Sequence, residues 1–171
     1  MSASRLSRLL APALLVPLIA ACQPTGGHVG AVATGHFSAA HEFPVLVVAW
    51  CGDAAPRQID LSGGERRFHL TATGGFDGNR TEVDLAAPGD AWRITDDDGR
   101  QVYRLVPESE REEYVVGIGT REAPPGEETE HDIGTVAFTT GVLAEEQGVY
   151  AAAGGSAEAE FVPEEEFPPE C

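Results

Sequence analysis

Short apolar segments separated by turn residues constrain this chain more than any other feature of its sequence. From Phe43 onward, apolar and polar residues mostly alternate with a period of two, which is the period of a half-buried β-strand. Gly, Pro and Asp interrupt the alternation at short intervals. The pattern therefore predicts many short antiparallel strands and an all-β sandwich or barrel.

One segment differs from this alternation. Val45–Cys51 is continuously apolar, which predicts a strand buried on both faces. Gly63–Gly64 and Asp98–Gly99 predict tight turns, and only Gly141–Gln147 has a helical pattern. The other predicted strands contain the pairs Ile59 and Leu61, Phe68 and Leu70, Val83 and Leu85, Trp92 and Ile94, Tyr103 and Leu105, Tyr114 and Val116, and Val136 and Phe138.

The amino terminus has the pattern of an export signal. Arg5 and Arg8 precede an apolar run over Leu9–Ala21, and the first acidic residue of the chain is Glu42. A positive segment, a short apolar segment and small residues at its end are typical of a signal peptide. The run is too short for a membrane-spanning helix, which needs about 20 apolar residues.

The end of this run, Leu18–Cys22 (LIAAC), resembles the bacterial lipobox. The resemblance implies cleavage between Ala21 and Cys22 and a thioether-linked diacylglycerol on Cys22. Two or three acyl chains would anchor the protein to the outer face of the cytoplasmic membrane. The alternative is an ordinary secretory signal followed by a chance cysteine.

We therefore expect three parts: a signal peptide over 1–21, a lipidated Cys22 with a flexible tether over 22–40, and a β-sandwich domain over 41–171. The tether prediction rests on its Gly and Pro content. The domain ends in an acidic, proline-rich tail.

The charge balance excludes several classes of function. The net charge is −17, and all 11 basic residues are arginine. Without lysine, neither a Walker A phosphate loop nor Schiff-base catalysis is available. The negative charge argues against a nucleic-acid partner and against binding to anionic lipid headgroups. Membrane attachment is therefore expected through the lipid alone.

If Cys22 carries a lipid, Cys51 and Cys171 remain as an even pair in an oxidising compartment, which predicts a disulfide. This bond would attach the acidic tail to the sandwich. The alternative is two free thiols.

Two pairs of segments are similar to fibronectin type III and immunoglobulin-like sandwiches. Leu46–Trp50 and Ile59–Leu61 resemble the second and third strands around a core tryptophan. Leu105–Pro107 before Tyr114–Ile118 resembles the corner at which a tyrosine hydroxyl bonds nearby backbone. The resemblance implies a sandwich of this kind and no particular activity.

The mature chain also resembles small uncharacterised lipoproteins of high-GC Gram-positive bacteria. The resemblance is carried by the lipobox, Val47–Pro56, Val136–Phe138, Gly141–Tyr150 and the tail that ends at Cys171. It implies an envelope location and a disulfide, and it implies no activity.

No catalytic, metal or cofactor motif stands out. Asp96–Gly99 departs from the EF-hand pattern and favours a hairpin turn. We therefore expect a non-enzymatic, lipid-anchored extracytoplasmic module that binds or supports another envelope component. Two alternatives remain open: a binder of cations or small molecules through acidic loops, and a hydrolase with dispersed carboxylates.

Overall fold

A computed structural model describes residues 30–34, 43–123, 129–145, 149–152, 159–163 and 167. The signal peptide, the cleavage site at Ala21 and Cys22, and Cys171 lie outside the described residues. Lipidation of Cys22 and pairing of Cys171 therefore stay predictions.

The described chain is almost entirely β-structure. Its elements in chain order are β1 Gly30–Thr34, β2 Val45–Trp50, β3 Gln58–Gly63, β4 Arg66–Ala72, β5 Arg80–Asp84, a 3-10 turn at Gly89–Ala91, β6 Trp92–Asp96, β7 Gln101–Val102, β8 Glu113–Gly119, β9 Gly134–Thr139, α1 Thr140–Glu145, β10 Val149–Ala152 and β11 Ala159–Val162.

The strands form two antiparallel sheets. The five-stranded sheet has the order β11-β10-β1-β2-β5, and the six-stranded sheet has the order β7-β6-β4-β3-β8-β9. The chain passes from one sheet to the other between β2 and β3, between β4 and β5, between β5 and β6, and between β9 and β10. The predicted all-β sandwich is confirmed.

The inward side chains of both sheets form one core. Leu46, Val48 and Trp50 of β2 pack in the same cluster as Ile59 of β3 and Val116 of β8. The alternation of the sequence places these side chains on one face of each strand, and burying them between the sheets is the main stabilising term of such a fold.

The apolar run of β2 is buried on both faces, as its sequence predicts. Leu46, Val48 and Trp50 face the core, whereas Val47 packs with Ala151 and Phe167 in a second, smaller cluster. Phe167 comes from the acidic tail and is buried. This residue of the tail thus covers part of the outer face of the five-stranded sheet.

Three predictions about the elements need correction. Gly30–Thr34, which was expected in the tether over 22–40, is a strand that pairs with β2 and β10. Its run of small residues (GAVAT) has no clear alternation of apolar and polar residues, so strand pairing rather than pattern defines it. Strand β7 is only two residues long, so Tyr103 is exposed rather than on an apolar strand face. The tail, which was expected only as an acidic, proline-rich end of the domain, contributes β11.

The predicted tyrosine corner is present. The Tyr114 hydroxyl accepts a hydrogen bond from the Glu108 backbone N–H at 2.9 Å and donates one to Glu112 at 3.1 Å. The ring packs edge-on against Phe43, with 4.7 Å between the centroids. Burial raises the pKa of Tyr114, and its contact with the Glu112 carboxylate acts in the same direction. The corner therefore fixes the loop that leads into β8.

The helix α1 has six residues, close to the predicted Gly141–Gln147. No helix in the described ranges is both long and apolar enough to span a membrane.

Candidate functional site

A carboxylate between two imidazoles lies on the outer face of the six-stranded sheet. Asp60 Oδ1 is 2.7 Å from Nδ1 of His69, and Asp60 Oδ2 is 2.9 Å from Nε2 of His131. Gln58 donates from Nε2 to Asp60 Oδ1 at 2.7 Å. We call these four residues the Asp60 cluster.

Strand register brings the first two members together. Asp60 alternates with Ile59 and Leu61 and so points away from the core. The β3–β4 hairpin pairs Asp60 directly with His69, and the Gly63–Gly64 turn allows this register because Gly64 has φ of +56°. Two residues nine positions apart in sequence thus become cross-strand neighbours.

His131 reaches the Asp60 cluster because the residue of β8 next to its ring is a glycine. On its other side Asp60 pairs with Gly117, and a Cβ on Gly117 would overlap the His131 ring. A Cβ on Gly119 would likewise overlap the backbone carbonyl of Glu130. These two glycines let residues 129–131, in the described part of the loop between β8 and β9, lie directly on the outer face of the sheet.

Further hydrogen bonds hold both ends of that loop. Gln58 donates to Thr129 at 2.6 Å and accepts from the Ala123 N–H at 2.9 Å. Asp132 accepts from the backbone N–H of Thr120 at 2.8 Å and from its hydroxyl at 2.6 Å. The described parts of the loop are therefore tied to β3 and to each other.

The cluster holds Asp60 in its ionised form. Burial alone raises the pKa of Asp60, but hydrogen bonds from His131, Gln58, Thr129 and His69 outweigh it and hold that pKa well below its usual range. The Asp60 side chain is 19% exposed, so its charge is screened only partly by water. The ionised carboxylate therefore contributes to folding at neutral pH.

His69 lies between two carboxylates. Its Nδ1 faces Asp60, and its Nε2 lies 3.3 Å from Oδ1 of Asp97 in the turn after β6. His69 therefore links β3 to the turn after β6, and this geometry suits a polar network that fixes loops.

A separate cavity of about 470 Å³ lies at the edge of the same sheet. Strand β7 pairs only with Ile94 and Thr95 of β6, so the first two residues of β6 lie at an open edge. Trp92 and Ile94 form part of the wall, and the 3-10 turn lies beside them. The volume falls within the range of pockets that hold small molecules.

Besides Thr73 and Trp92, four polar or aromatic side chains line this cavity: Asp90, Arg93, Gln101 and Tyr103. None of the four makes a side-chain hydrogen bond or an ion pair with another residue in the ranges that the structure describes. Tyr103 is 80% exposed, although most tyrosine rings in this fold are packed. These groups are therefore available to a bound molecule.

Of the residues predicted for lipidation, cleavage and the disulfide, the structure describes one. Cys51 follows β2 and is disulfide-bonded. Its partner lies outside the described residues, so the expected pairing with Cys171 stays a prediction.

The Asp96–Gly99 segment forms the predicted turn. Asp96 accepts hydrogen bonds at Oδ1 from the backbone N–H groups of Asp98 and Arg100, at 3.0 and 2.8 Å, and Gly99 has φ of +75°. The carboxylate that a cation would need is thus occupied by the turn. Among the residues described, no group of three or more His, Cys, Asp and Glu side chains has a metal-binding arrangement.

Sequence reasoning did not find the Asp60 cluster or the cavity. In the sequence, His69 lies between Phe68 and Leu70 of a predicted strand and His131 lies between two predicted strands, and no motif gives them a common partner. A register counted outward from the Gly63–Gly64 turn pairs Asp60 with His69 and was therefore within reach. The position of His131 depends on the loop between β8 and β9 folding back, which no local pattern encodes.

Comparison with protein-family models, with curated proteins and with solved structures finds no match for this chain. Its function is therefore argued from its own residues and geometry.

Proposed function

We propose that this protein is a lipid-anchored binding module on the outer face of the cytoplasmic membrane. The single observation behind the binding role is the cavity beside β6 and β7, where the side chains of Asp90, Arg93, Gln101 and Tyr103 have no hydrogen-bond or ion-pair partner among the described residues. Pockets that combine an apolar wall with a few free polar groups are typical of ligand sites.

The location rests on the sequence. Leu18–Cys22 resembles a lipobox after a signal-like apolar run. The acidic domain is not attracted electrostatically to anionic lipid headgroups, so membrane attachment depends on the lipid. The cysteine disulfide at Cys51 is consistent with an oxidising compartment outside the cytoplasm.

A binding role is preferred to catalysis because of what lines the cavity. Its lining contains one carboxylate, Asp90, whereas glycoside hydrolysis by the usual mechanism needs two facing carboxyl groups. The same lining contains no histidine, cysteine or serine. Nor does a cation site account for it, because an arginine shares the cavity with its one acid.

The anchor is tested by intact mass and by partition into detergent. The wild-type protein expressed in a bacterium that processes lipoproteins should lack residues 1–21, should carry a diacylglyceryl group and should enter the detergent phase. Cys22→Ala should abolish the added mass and leave the protein in the aqueous phase, and Cys51→Ala serves as the control that keeps the lipid. An unmodified wild-type mass would refute the anchor.

A further inference from the structure

The four cavity side chains that have no partner among the described residues differ in chemistry, and this difference restricts the class of ligand that the cavity can bind. Asp90 accepts hydrogen bonds, Arg93 donates them, and the Gln101 amide does both. Asp90 and Arg93 border one cavity and yet form no ion pair with each other. A ligand that uses both must offer donors and acceptors close together.

The balance of charge argues for a neutral ligand. One carboxylate and one guanidinium border the cavity, so its local formal charge is close to zero. An anion would also be repelled at long range by the net charge of −17, and a cation would meet Arg93. A molecule bearing hydroxyl groups satisfies Asp90, Arg93 and Gln101 without either penalty.

Tyr103 supplies a flat apolar surface beside these polar groups. Its ring is 80% exposed at the cavity rim. An exposed aromatic ring offers large contact area for little loss of conformational freedom, and it packs well against the C–H face of a sugar ring. A cavity of about 470 Å³ is large enough for one or two such rings.

From these observations we infer that the cavity binds a neutral saccharide, with the sugar ring on Tyr103 and its hydroxyl groups on Asp90, Arg93 and Gln101. This inference rests on the proposed binding role and adds the ligand class. It is independent of the lipid anchor.

The test uses the full-length processed protein in a detergent without sugar headgroups. Neutral mono- and disaccharides (glucose, galactose, maltose, cellobiose, lactose and diacetylchitobiose) are titrated while Trp fluorescence and saturation-transfer NMR are recorded, because Trp92 borders the cavity. We expect at least one to bind with a Kd of about 1 mM or tighter, and glucuronate and glucosamine to bind roughly tenfold more weakly than glucose.

Variants locate the binding. Tyr103→Ala and Arg93→Ala should each weaken the affinity by about tenfold, Tyr103→Phe should retain most of it, and Arg67→Ala, on an exposed residue outside the cavity, should leave it unchanged. Circular dichroism confirms that each variant is folded.

The inference is overturned if none of these saccharides binds at about 20 mM, or if Tyr103→Ala and Arg93→Ala bind as the wild type does. The charged sugars binding as tightly as glucose would also overturn it. Intact mass reports the lipidation of Cys22 independently of sugar binding. A protein that is lipidated but binds no sugar therefore refutes the ligand class alone.

Discussion

Asp60→Asn removes the charge at the centre of the Asp60 cluster while keeping the size of the side chain. The carboxylate accepts hydrogen bonds from His69, His131 and Gln58 at 2.7 to 2.9 Å. An asparagine oxygen at the Oδ1 position keeps the contacts with His69 and Gln58 without the charge, whereas its NH₂ group faces His131, so one bond is lost and two are weakened. A hydrogen bond to a charged group contributes about 1.5–3 kcal/mol.

The histidine side chains are 37% and 33% exposed, so the lower end of that range applies, and we expect a loss of about 2–3 kcal/mol at pH 7. For a domain of this size the melting temperature should fall by roughly 8–12 °C. Differential scanning calorimetry and urea unfolding measure both quantities. Asp97→Asn is the matched control, because that 56% exposed side chain makes one contact of 3.3 Å, and it should cost less than about 0.5 kcal/mol.

The stability difference between the wild type and Asp60→Asn should depend on pH in a direction set by the pKa of Asp60. The folded-state pKa of Asp60 is lowered, whereas in the unfolded chain it is close to the ordinary value of about 3.9. The contribution of the carboxylate is therefore present above about pH 4 and is lost as the pH falls through the folded-state value. The difference in stability between the wild type and Asp60→Asn should therefore shrink as the pH falls below about 4. A difference that stays constant from pH 7 to pH 3, or equal effects of the two Asn variants, would show that the cluster is not what stabilises this face.

Three further changes test other contacts. Tyr114→Phe removes the acceptor for the Glu108 N–H and the donor to Glu112, and it should cost about 1 kcal/mol at pH 7 by urea unfolding. Gly117→Ala places a Cβ against the His131 ring and should lower the free energy of unfolding by about 1–3 kcal/mol. In a His131→Ala background the same change should cost clearly less. If the costs of the two single variants simply add in the double variant, the contact between these residues is contradicted. Phe167→Ala should cost about 2–3 kcal/mol, less than a central core residue because it belongs to the smaller cluster, and no change in the melting temperature would mean that the tail does not cover the sheet.

The parts of the fold that the sequence predicts are those in which local pattern and tertiary burial agree. Alternation predicts β3, β4, β6 and β8 because one face of each strand is buried, and the continuous apolar run predicts that β2 is covered on both sides. What covers its outer side was not predictable, since Phe167 lies far along the chain in an acidic segment.

The errors arise where pairing, rather than pattern, defines a strand. Gly30–Thr34 is made of small residues that alternate weakly, and it is a strand because β2 and β10 flank it. Tyr103 was assigned to an apolar face because an aromatic residue followed a turn, but β7 ends one residue earlier. The exposure of Tyr103 is informative, because its ring forms the aromatic surface of the candidate cavity.

The two polar sites of the six-stranded sheet differ in whether their groups are satisfied, and this difference assigns their roles. In the Asp60 cluster each oxygen of the carboxylate already has a donor, and Gln58 uses both its amide oxygen and its amide nitrogen within the chain. A ligand there would have to displace bonds that hold the loop in place. In the cavity, the Arg93 side chain has no such bond within the part of the chain that the structure describes. A ligand that binds there gains new hydrogen bonds without breaking old ones, so the first site stabilises the scaffold and the second is the one free to bind.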